Sequence, residues 1–332
     1  MRATVKDVAS RAGVSPKTVS NVVNGLVPVS EKTRERVERA LVELDYVPNL
    51  SARGLRTGRS GLIALALPNL QTAYSAEIVS AIVDIAHASG WSVQVEETGM
   101  EPVRERELLV KARAHQIDGL ILNPVVLEDS AIERGTNLPP VVIIGEVEQE
   151  LTDRVCVDSE GAAWEMTRFL LGLGHRSIVA VGAGARSVSA AGHLRALGYR
   201  RAMSEAGLET IEVEEGTWSH AGGAAVVEEY LSHNDLPDAF FCFTDGLAIG
   251  ALGTLAERGL FAPDDVSVAG FDDIEAAKYL VPALTTVSFD KRAFAEATFA
   301  KLVNRMTNRS AEPGLTVVPH ALVERASTRA RP

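Results

Sequence analysis

The first side chains with evident chemistry are short polar and basic groups near the start of the chain. They fall in one stretch, at Ser15, Pro16, Lys17, Thr18, Ser20 and Asn21. A lysine ammonium can donate to guanine and an asparagine amide can pair with adenine, whereas hydroxyl groups suit phosphate oxygens. Pro16 lacks a side-chain donor and departs from this pattern. The stretch is typical of a surface that contacts nucleic acid.

Two short helices are predicted to position this stretch. The first places its apolar residues on one face, at Val5, Val8, Ala9 and Ala12. Thr4 and Asp7 have the spacing of a capping box. Gly13 tolerates a positive φ, and Ser15 with Pro16 is a typical helix start. Two helices across a glycine-containing turn form a helix-turn-helix, whose second helix enters the major groove of DNA.

A third helix is predicted between Ser30, which can cap it, and Tyr46-Val47-Pro48, which ends it. Its apolar residues recur at helical spacing, at Val37, Ala40, Leu41 and Leu44. Three-helix patterns are also common in helical proteins that bind no DNA. The hydrophobic pattern alone therefore leaves both interpretations open.

Charge favours DNA binding once it is counted by segment. The 332 residues carry a formal net charge of −11, which taken whole argues against nucleic acid. Residues 1–60, however, contain eleven Lys and Arg against six Asp and Glu, a net charge of +5, so the remainder carries −16. This asymmetry predicts that the N-terminal end meets a polyanion.

The composition indicates a globular chain of two or three domains that spans no membrane. Hydrophobic residues make up 46% and charged residues 23%, and no run of about 18 apolar residues occurs. No secretory signal precedes the first helix, so we expect the protein to be located in the cytoplasm. Cys156 and Cys242 lack partners at metal-ligand or redox spacing, and we expect two buried free thiols.

From Leu62 onward, short apolar runs alternate with amphipathic stretches. The predicted strands cover 62–67, 119–122, 141–144, 177–181, 239–243 and 266–270, and the predicted helices lie near 76–89, 104–114, 161–172, 192–206, 222–232 and 246–258. The alternation predicts an α/β fold with two lobes, each a doubly wound parallel sheet. Ligands bind beyond the carboxyl ends of such strands, so facing lobes form a cleft that can close on a small molecule.

A series of short motifs is distributed along the whole chain at fixed positions. The N-terminal ones are Val5-Lys6-Asp7-Val8-Ala9, Gly13-Val14-Ser15, Thr18-Val19-Ser20, Val22-Val23-Asn24, Tyr46-Val47-Pro48-Asn49 and Ala52-Arg53-x-Leu55. Later ones include Asp118-Gly119-Leu120-Ile121-Leu122, Leu173-Gly174-His175-Arg176 and Gly270-Phe271-Asp272-Asp273. With these motifs the chain resembles the LacI family of bacterial transcription regulators. The resemblance implies a helix-turn-helix domain, a hinge helix and a periplasmic-binding-protein-like core.

The resemblance also implies a homodimer that represses transcription by binding a palindromic operator in double-stranded DNA. Its hinge, about Leu50 to Arg56, would fold on DNA and insert Leu55 between base pairs. The candidate DNA contacts are Thr4, Ser15, Pro16, Lys17, Thr18, Ser20, Asn21, Asn24, Ser30, Thr33, Asn49, Ala52, Arg53, Leu55 and Arg56.

The family pattern points to a small-molecule effector in the cleft. The implied contacts are Tyr74, Glu146, Arg195, Trp218, Thr244, Asp245 and Asp272. Aromatic rings, carboxylates and a guanidinium suit a polyhydroxylated ligand, which favours a sugar or sugar derivative. Trp218 could instead be core packing, and Arg195 with Asp272 could be a structural ion pair. Thr244-Asp245 and Thr72-Ala73-Tyr74-Ser75 replace the family's usual Asn-Asp and Asn-Pro-Phe-Phe, so ligand identity does not carry over.

The expected domains are 1–48 for the helix-turn-helix, 49–60 for the hinge helix and linker, and 61–332 for the effector-binding and dimerisation core. Within the core, lobe 1 would take about 61–160 and 288–320, and lobe 2 about 161–287.

A transporter's sugar-binding protein would explain only the core and would need a secretory signal. A sugar-modifying enzyme would explain only the cleft and lacks a catalytic motif. We expect no catalytic residues, cofactor or metal, since the histidines are scattered and Gly182-Ala183-Gly184 lacks the third glycine of a dinucleotide-binding loop.

Overall fold

A computed structural model describes residues 3–24, 27–46, 59–99, 101–114, 116–124, 132, 138–183, 189–214 and 218–331. The chain divides into two compact units, Met1–Ser60 and Gly61–Pro332. Described residues of the first unit form helices, and those of the second form two sheets with helices packed on them.

The N-terminal unit contains helices α1 (Val5–Ala12), α2 (Pro16–Asn24) and α3 (Glu31–Glu43). Their apolar faces meet in a small core of Val8, Ala9, Ala12, Val19, Val37 and Ala40. The predicted capping box is confirmed, because Thr4 and Asp7 exchange hydrogen bonds at the start of α1. Gly13 ends that helix with φ of 64°, a conformation that glycine adopts without strain.

Ser30 does not cap α3 in the way the sequence predicted. It occupies the N-cap position, but its side chain makes no capping hydrogen bond. Its hydroxyl lies 2.9 Å from that of Thr33 instead, so the oxygen is directed to a neighbouring side chain rather than to a backbone N–H.

The first lobe of the core unit is built on a parallel sheet. Numbered in chain order, its strands are β1 (Leu62–Leu67), β2 (Ser92–Glu97), β3 (Gly119–Leu122), β4 (Val141–Ile144), β5 (Asp153–Val157) and β11 (Leu315–Val318). They lie side by side in the order β11-β5-β4-β3-β1-β2. The helices of this lobe are α4 (Ala73–Ala88), α5 (Pro102–Arg113) and α10 (Lys291–Thr307). Buried Ile78, Ile82 and Ala86 recur every four residues on α4 and pack on the sheet.

The second lobe repeats this architecture. Its strands are β6 (Ile178–Ala183), β7 (Ile211–Glu214), β8 (Ala239–Cys242), β9 (Ser267–Phe271), β10 (Thr285–Phe289) and β12 (His320–Val323), in the spatial order β12-β10-β9-β8-β6-β7. Only β12 runs antiparallel to its neighbour among the paired strands described. Its helices are α6 (Ser159–Gly172), α7 (Ala190–Glu205), α8 (His220–His233), α9 (Asp245–Glu257) and the short 3₁₀ helix Glu275–Lys278. The predicted doubly wound α/β fold is confirmed.

The chain passes between the lobes at three points: between β5 and α6, between β10 and α10, and between β11 and β12. After β12 the chain stays with the second lobe, where Ser327 donates to the carbonyl of Val268 and accepts the N–H of Thr285. The second lobe therefore includes β10 to Phe289 and the segment from His320 onward, beyond the 161–287 expected from sequence.

Three features of the described residues bear on metal binding and on membrane insertion: the cysteines, the possible metal ligands and the lengths of the helices. Cys156 and Cys242 are buried free thiols, as predicted, and burial raises the pKa of the Cys156 thiol to about 11. The described His, Cys, Asp and Glu side chains form no group of three that could hold a metal ion. None of the described helices is long and apolar enough to cross a membrane.

Candidate DNA-binding surface and effector cleft

Helix α2 presents the polar stretch that the sequence assigns to DNA. Pro16 and Lys17 are exposed, and Thr18 and Asn21 are partly exposed. Ser20 is also partly exposed, whereas Val19 is fully buried among the three helices. Because α2 contains a lysine and no acidic residue, its outer surface is compatible with the phosphate-lined major groove.

The turn before α2 is fixed by side chains on both sides. Ser15 Oγ accepts the N–H of Thr18 at 3.1 Å. Arg36 of α3 donates to the carbonyl oxygens of Ala12 and Gly13. These bonds satisfy end groups of both helices, so the orientation of α2 against α1 and α3 is set within the unit itself.

Other candidate DNA contacts are placed unevenly. Thr4 and Ser30 are exposed at the N-cap positions of α1 and α3, where backbone N–H groups suit a phosphate, and Thr33 is partly exposed. The side chain of Asn24 lies outside the described residues. So do five further candidates: Asn49, Ala52, Arg53, Leu55 and Arg56.

In the core unit, five candidate effector residues meet where strands of both sheets end. Glu146 follows β4 of the first lobe, and Asp272 follows β9 of the second. Tyr74 lies in the first turn of α4, Arg195 on α7 and Trp218 just before α8. Tyr74 packs against the cores of both lobes. The cleft is thus lined from both lobes, as expected for facing parallel sheets.

Arg195 makes contacts on every side. Its side chain is buried, with the guanidinium 3.6 Å from the ring centroid of Phe271 and 5.3 Å from that of Trp218. Nη1 donates to the carbonyl of Phe243, and Nη2 lies 3.7 Å from Asp272 Oδ1. That distance allows an ion pair but is too long for a hydrogen bond. The Asp272 carboxyl can therefore accept a ligand hydroxyl beside an aromatic face.

Ser159 links the two lobes across the cleft. Its hydroxyl donates to Glu146 Oε1 at 2.8 Å and accepts from Arg195 Nε at 3.4 Å. Ser159 is the first residue of α6 and is buried. A carboxylate of the first lobe and a guanidinium of the second are therefore joined through one hydroxyl.

Asp272 occupies an unusual position for an acid. Its pKa is raised to about 7, mainly by burial; the charges of Arg195 and Lys291 oppose the rise, and those of Glu146 and Glu77 contribute to it. Its backbone φ is 109°. Near neutral pH both the ionised and the protonated form of this carboxyl are therefore populated. The ionised form can accept a hydrogen bond from a hydroxyl group, and the protonated form can donate one.

Tyr74 supplies an aromatic wall from the first lobe. Its ring lies 6.3 Å from that of Phe289, with the planes tilted by 58°. Burial raises the pKa of its phenol, and the charges of Glu146 and Asp272 add to the shift. The hydroxyl group therefore stays protonated and can donate, while the ring can cover an apolar ligand face.

Thr244 and Asp245 form hydrogen bonds with neighbouring parts of the second lobe. Thr244 is the N-cap of α9, and its hydroxyl accepts a backbone N–H of the first turn. Asp245 is 0% exposed and accepts from Thr286 Oγ1 at 2.6 Å and from the N–H of Ile274 at 2.9 Å. Burial raises its pKa to about 8. These two hydrogen bonds join Asp245 to β10 and to Ile274 beside the turn that carries Asp272, and each carboxylate oxygen retains a further acceptor site.

Both parts of the chain match known protein families. Residues 4–49 match the description "Bacterial regulatory proteins, lacI family", and residues 167–328 match "Periplasmic binding protein-like domain". The HTH-type transcriptional repressor PurR of Klebsiella pneumoniae (strain 342) is 33% identical over 331 residues, which span 98% of this chain and 96% of the relative. The chain belongs to the LacI family.

Solved structures of LacI-family proteins share the whole architecture. The lac repressor dimer bound to operator and the anti-inducer ONPF is 32% identical with a TM-score of 0.85, covering 99% of this chain and 100% of that one. The transcriptional regulator CelR in complex with cellobiose is 30% identical with a TM-score of 0.69, covering 98% and 100%. As a LacI-family member, the chain is a DNA-binding transcriptional repressor with a ligand-binding core and is not an enzyme.

Sequence reasoning missed two contributors to this LacI-family cleft, Ser159 and Phe271. Phe271 lies in the Gly270-Phe271-Asp272-Asp273 motif and Ser159 in Val157-Asp158-Ser159-x-x-Ala162, and both motifs support the family resemblance. Ser159 could have been found because it follows the last strand before the chain enters the second lobe. Phe271 could have been found because it directly precedes Asp272, so its ring lies close to any group that contacts the Asp272 carboxylate.

Proposed function

We propose that this LacI-family repressor binds a palindromic operator as a homodimer and responds to a sugar or sugar derivative held in the cleft. The buried Arg195, stacked on Phe271 and facing Asp272, carries the sugar assignment. Aromatic faces beside carboxylate acceptors and a guanidinium suit a ring that bears adjacent hydroxyl groups. The CelR–cellobiose complex supports the assignment, since a relative of similar fold binds a disaccharide.

The proposed DNA contacts divide by role. Lys17 and Asn21 on α2 meet bases in the major groove, with Pro16 beside them, while Thr18 and Ser20 meet phosphates. The hinge places Leu55 in the minor groove at the operator centre. Effector binding shifts the balance between two lobe arrangements and thereby changes operator affinity, and operator binding changes effector affinity by the same factor.

The homodimer is supported by apolar surface on the second lobe. Tyr279 is 75% exposed, Val281 100% and Phe261 58%. Large exposed apolar side chains favour association with another protein surface, and most soluble oligomers are symmetric dimers. Since its proposed target is operator DNA, we place the dimer in the cytoplasm.

Selection from random double-stranded DNA, followed by titration with sugars, tests the proposal. The selected sites should be palindromic. A panel of neutral mono- and disaccharides, including D-ribose and cellobiose, should contain a ligand that changes operator affinity by about 5- to 150-fold. The same ligand should change Trp218 fluorescence, with Trp218→Phe as the control. Purine bases that shift operator affinity while every sugar leaves it unchanged would overturn the sugar assignment.

A further inference from the structure

A carboxylate of the first lobe reaches the turn that carries Asp272. Glu77 lies on α4, and its Oε1 accepts the backbone N–H of Glu275 at 2.7 Å. Glu275 is the first residue of the 3₁₀ helix Glu275–Lys278 in the second lobe. This hydrogen bond therefore crosses from one lobe to the other.

Lys291 completes the contact. Its ammonium lies 2.9 Å from Glu77 Oε2 and donates to the carbonyl oxygen of Asp273 at 2.8 Å. Lys291 is the first residue of α10, directly after the chain crosses from the second lobe to the first. Both side chains of the pair are mostly buried, so solvent screens it less than a surface ion pair.

The turn that these residues hold is strained. Asp272 and Asp273 have φ values of 109° and 46°, which non-glycine residues rarely adopt. Within the second lobe, Asp273 is held by Arg325 at 2.6 Å and by Ser288 at 2.9 Å. A strained turn persists only where its surroundings fix it, and Glu77 with Lys291 provides the part of that support that comes from the first lobe.

We propose that Glu77 and Lys291 form an interlobe latch that couples lobe closure to the position of the Asp272 carboxyl. Opening of the cleft separates Glu77 from the Glu275 N–H and removes its support from the turn. The latch itself follows from the contacts described, whereas its effect on ligand affinity rests on the proposed sugar-binding function.

Hydrogen–deuterium exchange on the full-length protein without ligand tests the latch. In Glu77→Ala, peptides covering residues 272–278 should exchange on the order of tenfold faster than in the wild type. The matched control is Glu296→Ala, because Glu296 is an exposed carboxylate of the first lobe that pairs with Arg292 on its own helix. It should leave those peptides unchanged.

A second variant keeps the test valid if Glu77→Ala does not fold. Glu77→Gln retains an oxygen acceptor for the Glu275 N–H but loses the charge that faces Lys291, so its exchange should be intermediate. Wild-type exchange at 272–278 in every folded Glu77 variant would overturn the latch, because a role confined to α4 would alter only peptides of the first lobe.

Titration of the same proteins with D-ribose and cellobiose, followed by tryptophan fluorescence, tests the coupling separately. A sugar that binds the wild type should bind Glu77→Ala at least about fivefold more weakly. Faster exchange with unchanged sugar affinity would overturn the coupling. If neither sugar binds the wild type, the coupling to these two sugars is overturned, the sugar assignment is decided by the wider panel, and the exchange result still decides the latch.

Discussion

Arg195 shows what a buried guanidinium requires of its neighbours. Its N–H groups need acceptors, which the Phe243 carbonyl and the Ser159 hydroxyl provide, and its charge needs a counter-ion, which is Asp272. Its planar face stacks on Phe271. Because each contact uses the shape of the group as well as its charge, lysine is a poor substitute here.

Arg195→Lys is expected to weaken sugar binding by more than about tenfold and to lower the free energy of unfolding by about 2 kcal/mol. Lysine keeps the charge but loses the stacked plane and the fixed donors. Calorimetric titration and thermal unfolding measure the two effects. Arg200→Lys is the control, since Arg200 pairs with Glu212 at the surface of the same lobe. Equal effects from the two variants would contradict the role given to Arg195.

Asp272→Asn is expected to flatten the pH dependence of stability. Burial holds the pKa of Asp272 at about 7, well above that of an aspartate in an unfolded chain, about 4. Between these values the folded protein keeps a proton that the unfolded chain has lost, so the free energy of unfolding falls as pH rises. From pH 5 to 7 the wild type should lose about 2 kcal/mol more than the variant.

Denaturant unfolding at pH 5, 6 and 7 measures the difference. Asp245→Asn should change the slope in the same direction, because the pKa of Asp245 is also raised, to about 8. Variant and wild-type curves that run parallel would show that Asp272 is ionised throughout this range.

The family resemblance could place Tyr74, Glu146, Arg195, Trp218 and Asp272 in one cleft, because it matched them residue by residue to the family pattern. It could not identify the Ser159 bridge, because that contact joins residues 36 positions apart through a single hydroxyl. It also could not show that Asp245 accepts the backbone N–H of Ile274, since that bond joins residues 29 positions apart.

At the scale of elements, the start of α2 depends on one glycine. Gly13 has φ of 64°, and a Cβ there would lie 2.7 Å from Arg36 Nη2, the group that bonds to the turn. The backbone geometry and the space for Arg36 therefore both require glycine at this position. The orientation of α2, the helix proposed to contact DNA, depends on this turn.

Gly13→Ala should destabilise the N-terminal unit by about 1–2 kcal/mol, because alanine is strained at positive φ and displaces Arg36. Hydrogen exchange of α1 and α2 in the full-length protein measures the loss. Ser10→Ala, at an exposed position on α1, should have little effect. A Gly13→Ala variant with wild-type protection would show that the turn relaxes freely.

Two physical reasons explain why some strands were absent from the sequence prediction. Four of them, β2, β7, β11 and β12, are the outer strands of the two sheets. Outer strands are partly solvated and need no continuous apolar run, as the Ser-Val-Gln-Val-Glu-Glu sequence of β2 shows. In β5 and β10, Arg154 and buried threonines interrupt the apolar pattern. The central strands were predictable because both of their faces are covered.

At the scale of the whole molecule, the segregation of charge governs how the protein meets DNA. Net charge is +5 in residues 1–60 and −16 in the remainder. Phosphates attract the first and repel the second, so the acidic core unit discourages non-specific adhesion. Operator binding is then expected to depend steeply on salt.

Operator affinity should fall by on the order of 100-fold or more between 50 and 200 mM salt, because phosphate contacts release counter-ions. Lys17→Ala should lower affinity at fixed salt by about 10- to 100-fold, which is the effect of losing a base contact. Fluorescence anisotropy with labelled operator measures both. Arg292→Ala removes an exposed cation of the core unit and should leave binding intact; an equal loss in that variant would argue against α2 as the reading helix.

Val281→Glu is expected to convert the proposed dimer to a monomer, because it places a charge on a fully exposed apolar residue of the second lobe. Sedimentation equilibrium measures the change. Val110→Glu, at an exposed position on α5 of the first lobe, is the matched control. A Val281→Glu protein that sediments as the wild type does would place the interface elsewhere.

The late strands β11 and β12 also determine when the protein becomes functional during its synthesis. The two sheets include Leu315–Val318 and His320–Val323, so neither lobe can be completed on the ribosome until these strands have emerged. The helices of the N-terminal unit, in contrast, precede the core unit in the chain and form a compact unit of their own, so they can fold earlier. A nascent chain would thus carry a folded DNA-reading unit before it has a working sensor. Regulation by the effector begins only when Leu315–Val318 and His320–Val323 join the two lobes.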